Sequence, residues 1–261
     1  MTIKTYLQQL QKLLPNTWIE QIQYIHSSLL FRCILFLGSK PLTFSHKSTM
    51  VFSPHQDDET FGCGGMIANK REHGIQVVVV FLTNGQGAGG SQLNSHDKII
   101  QIRKQEALTA LEFLGVEPSK IHFLDKHDGH LQKLNHQERK ETIEQVMYLI
   151  EFYQPQEIYV PHKKDCHQDH EATYELVKVA IAQAGITVDL LQYPIWLFWR
   201  SPLFILLKLQ DIAAAYSLSI TLVQEKKQQA IAAYSSQLES LPRGFINRFL
   251  GDYEIYFKAK S

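Results

Sequence analysis

Apolar positions recur at helical spacing from the start of the chain, at Tyr6, Leu7, Leu10, Leu13 and Leu14, and Pro15 closes that segment. A second helix is predicted over residues 17–37. There Trp18, Ile19, Ile22, Ile25, Leu29, Leu30 and Cys33 share the period, and Gly38-Ser39-Lys40-Pro41 ends it. From residue 48 the pattern changes to short apolar runs that alternate with longer amphipathic stretches. Strands are predicted over 48–53, 75–82, 121–124, 157–160 and 188–192. The run Val77-Val78-Val79-Val80-Phe81-Leu82 has the continuity of a parallel strand covered on both faces. Helices are expected up to His73, then over 95–114, 137–152 and 170–184, with Gly74 and Gly115 as stops. Past this alternation the pattern is less regular: a strand over 216–222, a helix over 224–238 and a last strand over 253–257. Such an order predicts an α/β fold, a Rossmann-like, mostly parallel sheet with helices on both faces. It spans residues 48–261 and is preceded by an N-terminal helical extension, 1–47.

Composition changes this picture little. The chain has 261 residues, 44% hydrophobic and 20% charged, which is ordinary for a globular protein with a full core. Lys+Arg 26 against Asp+Glu 26 leaves no net charge, which argues against a nucleic-acid binder. Cys33, Cys63 and Cys166 form neither a disulfide framework nor a Cys-x-x-Cys zinc site, and no export signal opens the chain, so a cytoplasmic setting is expected. The apolar stretches 29–37 and 195–209 are too short, or too interrupted by Arg32, Arg200, Pro202 and Lys208, to span a bilayer. Trp196, Trp199 and Phe204 beside these basic residues leave room for peripheral contact with a lipid surface. Simple packing explains them more economically.

The chemistry sits at two strand ends. Ser53-Pro54-His55-Gln56-Asp57-Asp58-Glu59-Thr60 follows the first predicted strand and packs one imidazole and three carboxylates into five consecutive residues. His162-Lys163-Lys164-Asp165-Cys166-His167-Gln168-Asp169-His170 follows the strand over 157–160. In an open parallel sheet both loops emerge on the carboxyl edge, where ligands bind. Together they offer His55, Asp57, Asp58, Glu59, His167, Asp169 and His170. Two histidines and one aspartate suffice for a catalytic zinc site with an open position for water, and further carboxylates can act as base or support. A single acidic residue here would be a helix cap, but two His/Asp clusters at equivalent strand ends are harder to explain that way. Gly85, Gly87, Gly89 and Gly90 lack both the P-loop and the dinucleotide spacing and read as a loop on the site's rim. His122, His127 and His130 read as rim residues too, Cys166 as a bystander and Cys63 as a packing residue.

These residues resemble the LmbE-like, or PIG-L, family of zinc-dependent N-acetylglucosamine deacetylases. The likeness runs through Pro-His-x-Asp-Asp-Glu and His-x-Asp-His, Arg103-x-x-Glu106-Ala107 with Leu114-Gly115, Asp128-Gly129, and Lys227-x-x-Ala230 with Ser236-Gln237. It covers residues 48–257 and implies a three-layer α/β/α fold. The resemblance implies His55, Asp58 and His170 as ligands to Zn2+, with Fe2+ as the alternative ion, and Asp57 as general base toward the metal-bound water. It implies a protonated His167 as oxyanion partner, held by Asp169, and Arg103 and Asp128 as contacts to sugar hydroxyls. Gln56 and Gln168 depart from the family, which often has proline at both positions; neither is needed for metal or proton transfer. The expected activity is removal of acetyl from an N-acetylated amino-sugar conjugate or glycolipid. The rivals are a metal-dependent hydrolase of another acyl-amide and a non-catalytic sugar- or lipid-binding protein with a structural metal. Oligomeric state and aglycone have no signature in the sequence.

Overall fold

The computed structural model describes residues 15–88, 93–200 and 214–259. The helix expected at Tyr6–Leu14, the glycines Gly89 and Gly90, and residues 201–209 of the second apolar stretch lie outside them. Among the described residues one sheet holds eight strands, β1 (Lys40–Pro41), β2 (Thr49–Ser53), β3 (Val77–Thr83), β4 (Ile121–Lys126), β5 (Glu157–Pro161), β6 (Asp189–Tyr193), β7 (Ala215–Ser219) and β8 (Tyr253–Lys258). Their spatial order is β1-β7-β8-β6-β5-β2-β3-β4. Only β8 runs against the others, between β6 and β7.

Strand β2 lies between β3 and β5 and is parallel to both, with Thr49 opposite Val77 on one side and Glu157 on the other. The chain winds outward from β2 to β3 and β4, then returns to lay β5 and β6 on the other flank. This reversal makes the carboxyl ends of β2 and β5 the topological switch point of the sheet, the crevice where open α/β folds bind ligands. Both reactive loops start there.

Strand alternation divides the core. Val51, Val77, Val79, Phe81 and Tyr159 face the layer that includes α2 (Asp58–Glu72), α3 (Leu93–Phe113), α7 (Gln224–Ala233) and α9 (Arg243–Phe249). Met50, Phe52, Val78, Val80, Ile158 and Val160 face α4 (His136–Tyr153) and α5 (Gln168–Ala184). Burial on both faces is why these strands read as unbroken apolar runs.

The N-terminal region joins this body. Leu30 of α1 (Asn16–Cys33) and Ile34 just beyond it pack with Leu197 and Phe198 of α6 (Leu197–Arg200) and with Ala215, Ile255 and Phe257. Lys40 and Pro41 pair with Tyr216 and Ser217, so residues ahead of 48 contribute a strand to the sheet. The helix expected over 224–238 breaks at Tyr234, whose φ of −82° and ψ of 48° separate α7 from α8 (Ser235–Leu238).

Helix α2 carries the first reactive loop into the core, and its glycines allow close approach. A Cβ on Gly62 would lie 2.3 Å from the Tyr193 ring, and one on Gly65 2.4 Å from Ile220. Glu254 of β8 accepts from the Gly65 and Met66 amides at 2.7 and 2.9 Å, and Lys227 joins Glu254 at 2.6 Å and the Phe61 carbonyl at 2.8 Å. Both charged groups are buried, so this contact links α2, α7 and β8 through a paired charge.

Candidate active site

Backbone strain shapes both loops. Asp57 has φ 150° and Cys166 φ 59°, conformations that L-residues adopt only when the surroundings enforce them. At Asp57 the enforcement comes from Glu59, which accepts the Asp57 amide at 3.1 Å while Thr60 and Tyr234 hydroxyls donate to its other oxygen. Burial pushes Glu59 up to about 7, against those hydrogen bonds. Within residues 51–60 Asp57 is the single position that is not fully buried, with its side chain 13% exposed.

Around this bend the eight residues expected from the sequence come together. His55 Nδ1 lies 2.9 Å from Asp58 Oδ2, and its Nε2 lies 3.2 Å from Asp128 Oδ1 and 3.3 Å from Asp169 Oδ2. His170 Nε2 lies 3.2 Å from the same Asp58 oxygen. The His167 ring centre stands 4.9 Å from that of His55 and 4.7 Å from that of His170. Asp57 Oδ1 is 3.6 Å from Arg103 Nη2.

Several contacts differ from the expected ones. The Asp169 carboxylate does not hold His167. It accepts from Gly129 N at 2.6 Å and Leu131 N at 3.0 Å and reaches His55, while the Asp169 amide donates to His167 Nδ1 at 3.3 Å. His167 is therefore an acceptor at Nδ1 and carries its ring proton on Nε2. Burial, then the positive charges of His170 and His55, lower it to about 3, so the ring is neutral rather than protonated as expected. Arg103 is 3% exposed and donates to the Gly85 and Gln56 carbonyls, both at 3.0 Å. It is buried beside Asp57. Asp128 accepts from Gly87 N at 3.0 Å, so the described part of the glycine loop supports the site through its backbone. His127 and His130 pair on the rim, whereas His122 turns away to Tyr153 Oη at 2.9 Å.

Electrostatics separate the carboxylates. Burial raises Asp57, the adjacent Asp58 raises it further, and Arg103 and His55 only partly oppose this, leaving it at about 7. Burial acts on Asp58 in the same sense, but His170 and His55 outweigh it and hold Asp58 far below the ordinary carboxylate range. His170 rises to about 9, because Asp58 and Asp165 overcome the penalty of its burial. The two adjacent aspartates are thus pushed in opposite directions, Asp57 up and Asp58 down.

The sequence reading passed over Asp165. It is fully buried and takes His170 Nδ1 at 2.7 Å on one oxygen. Its neighbours Lys163, Lys164 and Cys166 give an ordinary exposed-loop pattern, and its other partners lie about residue 195, so no local signal singles it out.

The donor set suits a divalent cation. Asp58 Oδ2 lies 2.9 Å from His55 Nδ1 and 3.2 Å from His170 Nε2, and first-row metal bonds of about 2.0–2.2 Å bring tetrahedral ligand atoms to separations of this order. His55, His167 and His170 also bring nitrogens within 4.8 Å of one another, as do His55, Asp128 and Asp169 with one ligand atom each. His170 Nε2 is buried and makes no hydrogen bond among the described residues, which marks it as an atom whose partner is a ligand. Asp58, Asp128, Asp165 and Asp169 around two imidazoles leave an excess of negative charge that a cation neutralises.

Known proteins share this arrangement's fold. A diacetylchitobiose deacetylase of Thermococcus kodakarensis is 28% identical over 204 residues, which cover 73% of this chain and 70% of that protein. The N,N'-diacetylchitobiose deacetylase structure from Pyrococcus horikoshii is similar at a TM-score of 0.59 and 22% identity, covering 85% of this chain and 82% of that one. The 4-carboxy-2-hydroxymuconate hydratase GalB of Pseudomonas putida is as similar in fold, at a TM-score of 0.60 and 24% identity, covering 81% and 95%. Residues 50–181, half of the chain, match the family model described as PIG-L, GlcNAc-PI de-N-acetylase. With both reactive loops inside that match, the chain belongs to the PIG-L family.

Proposed function

We propose that this protein is a metal-dependent N-deacetylase that acts on an N-acetylated amino sugar within a larger glycoconjugate or glycolipid and releases acetate and a free amine. The observation that carries the reading is the pairing of a buried His55–Asp58–His170 donor set with Asp57 as the adjacent, partly exposed carboxylate. The diacetylchitobiose deacetylases support the substrate class by their own activity. His55 Nδ1, Asp58 Oδ2 and His170 Nε2 would hold Zn2+ or Fe2+; two imidazoles and a carboxylate accept either. A cation bound there supplies Lewis acidity to a water and to the amide carbonyl.

The protein's own groups do the remaining work. Asp57, held near neutrality by its surroundings, accepts a proton from the attacking water and returns it to the departing nitrogen. Neutral His167 donates its Nε2 proton to the oxygen that gains negative charge as the carbonyl becomes tetrahedral. Asp169 and Asp128 orient His55 from its far nitrogen, which leaves Nδ1 toward Asp58. Arg103 fixes the carbonyls of Gln56 and Gly85, and so the loop that bends at Asp57. Asp128, its side chain 12% exposed, keeps the sugar-side role that the family resemblance implies.

GalB shows that this fold also carries chemistry other than deacetylation, so the test must read the product. The metal-loaded protein is incubated with N-acetylglucosaminides bearing different aglycones, and amine and acetate are quantified together. Equimolar release from at least one is the expected result. Release from none, by protein with its metal in place, overturns the substrate class and leaves a hydrolase of a different acyl-amide.

A further inference from the structure

We infer that Asp165 is the positioning residue for His170: it fixes the ring proton on Nδ1, leaves Nε2 free for the metal, and ties that ring to the turn at residues 195–197. The inference rests on the metal-site reading above and goes beyond it by assigning a residue outside the ligand and proton-transfer set.

Four donors converge on the Asp165 carboxylate. Ile195 N and Leu197 N reach Oδ1 at 2.9 and 3.0 Å, and Trp196 N and His170 Nδ1 reach Oδ2 at 3.1 and 2.7 Å. An ionised carboxylate offers about four lone-pair sites and no proton. Asp165 is therefore filled, and as a pure acceptor it dictates that His170 Nδ1 is a donor. The lone pair of a singly protonated ring is then on Nε2, the buried atom that lacks a hydrogen bond and stands 3.2 Å from Asp58 Oδ2. The shortest of the four bonds is the one to the ring. Three consecutive backbone amides hold the carboxylate on its other sides, so it cannot swing away from His170 without releasing the turn. The turn is anchored in its own right, because the Arg248 guanidinium donates to the Ile195 carbonyl. Asp165 thus stands between a candidate ligand and a segment that follows a different strand, β6.

Asp165→Asn separates positioning from simple support of the turn. Asn keeps the volume and one acceptor oxygen, which can retain the Ile195 and Leu197 amides. Its NH2 then faces His170 Nδ1 and favours the tautomer with the proton on Nε2, the wrong one for ligation. The expected result is a loss of zinc affinity of about 10–100-fold in chelator competition, together with a lower metal-free melting temperature, because the Trp196 amide loses its acceptor; the affinity loss is therefore read on variant that is shown to be folded at the assay temperature. In a His170→Ala background the same substitution adds no further loss of affinity, because the two act as one unit. Zinc affinity within twofold of wild type, or an equal further loss in the His170→Ala background, overturns the inference and leaves Asp165 a turn-support residue. Should Asp165→Asn not fold, wild-type protein answers by another route. NMR of the zinc-loaded, 15N-histidine-labelled protein is expected to show a protected ring proton on Nδ1 that disappears in His170→Ala; finding that His170 proton on Nε2 overturns the assignment. None of these readouts depends on turnover. A protein that passes them yet releases no amine refutes the deacetylase reading alone.

Discussion

Asp57→Asn tests the proposed base from two sides. With metal bound, the substitution removes the proton acceptor and leaves His55, Asp58 and His170 in place. General-base catalysis is worth about 10²–10⁴ in rate, so kcat should fall by that factor while metal content stays at the wild-type level. Without metal, the variant should be the more stable protein. Burial and Asp58 lift Asp57 from 3.8 to about 7 in the fold. At 1.36 kcal/mol per pH unit, that rise costs the ionised fold on the order of 4 kcal/mol, an upper figure for a site with some access to solvent.

The sign follows from which state releases the proton first. The folded pKa lies above the unfolded one, so the unfolded chain ionises first and the penalty grows as pH rises from about 4 to about 7, then levels off. Chemical denaturation in the presence of a chelator, at intervals from pH 4 to pH 8.5, should give a stability difference between variant and wild type that starts near zero and climbs across this window. Titrating groups that do not interact with Asp57 cancel in the difference. A pH-independent difference would refute the electrostatic account of Asp57, and unchanged kcat would refute its role as base. Loss of activity together with greater stability is the pattern expected of a residue held in an unfavourable state for function.

Other perturbations probe the remaining parts. His170→Ala should weaken the site enough that metal no longer survives dialysis at stoichiometric level, and turnover should be lost with it, as elemental analysis and assay show; metal retained through dialysis would move the site to the donors around His55, Asp128 and Asp169. Gly62→Ala forces a methyl to within 2.3 Å of the Tyr193 ring and should lower stability by about 1–3 kcal/mol in urea denaturation, since Tyr193 is itself tied to the Phe52 carbonyl at 2.8 Å. Lys227→Met leaves Glu254 buried without its cation and should cost about 3–5 kcal/mol, seen as a shifted denaturation midpoint; a neutral outcome would show that the amides of Gly65 and Met66 suffice for Glu254.

What the sequence could reveal followed from how far each interaction reaches along the chain. His55, Asp57 and Asp58 fall within four residues, as do His167, Asp169 and His170, and each set lies in the loop that follows an apolar run, so pattern alone put both on one edge of a parallel sheet. Their division of labour needed three dimensions. The Asp169 carboxylate reaches His55 and two amides near residue 130, and only its backbone meets His167; this turns the expected imidazolium into a neutral donor. The family resemblance implied Arg103 as a sugar contact, and nothing local in the sequence announces that it will be enclosed by the Gly85 and Gln56 carbonyls. The two-residue strand β1 carries a lysine and a proline and has no apolar signal, and the break at Tyr234 exists because Tyr234 serves Glu59 while Ser235 and Ser236 serve Glu106. In each case the missing information was a hydrogen bond to a distant backbone or carboxylate group. Hydrophobic periodicity reports burial and direction, and it carries no record of which polar atoms will meet. A sequence reading therefore finds the residues that could do the chemistry, and the buried hydrogen bonds of the fold decide which protonation state and which role each one takes.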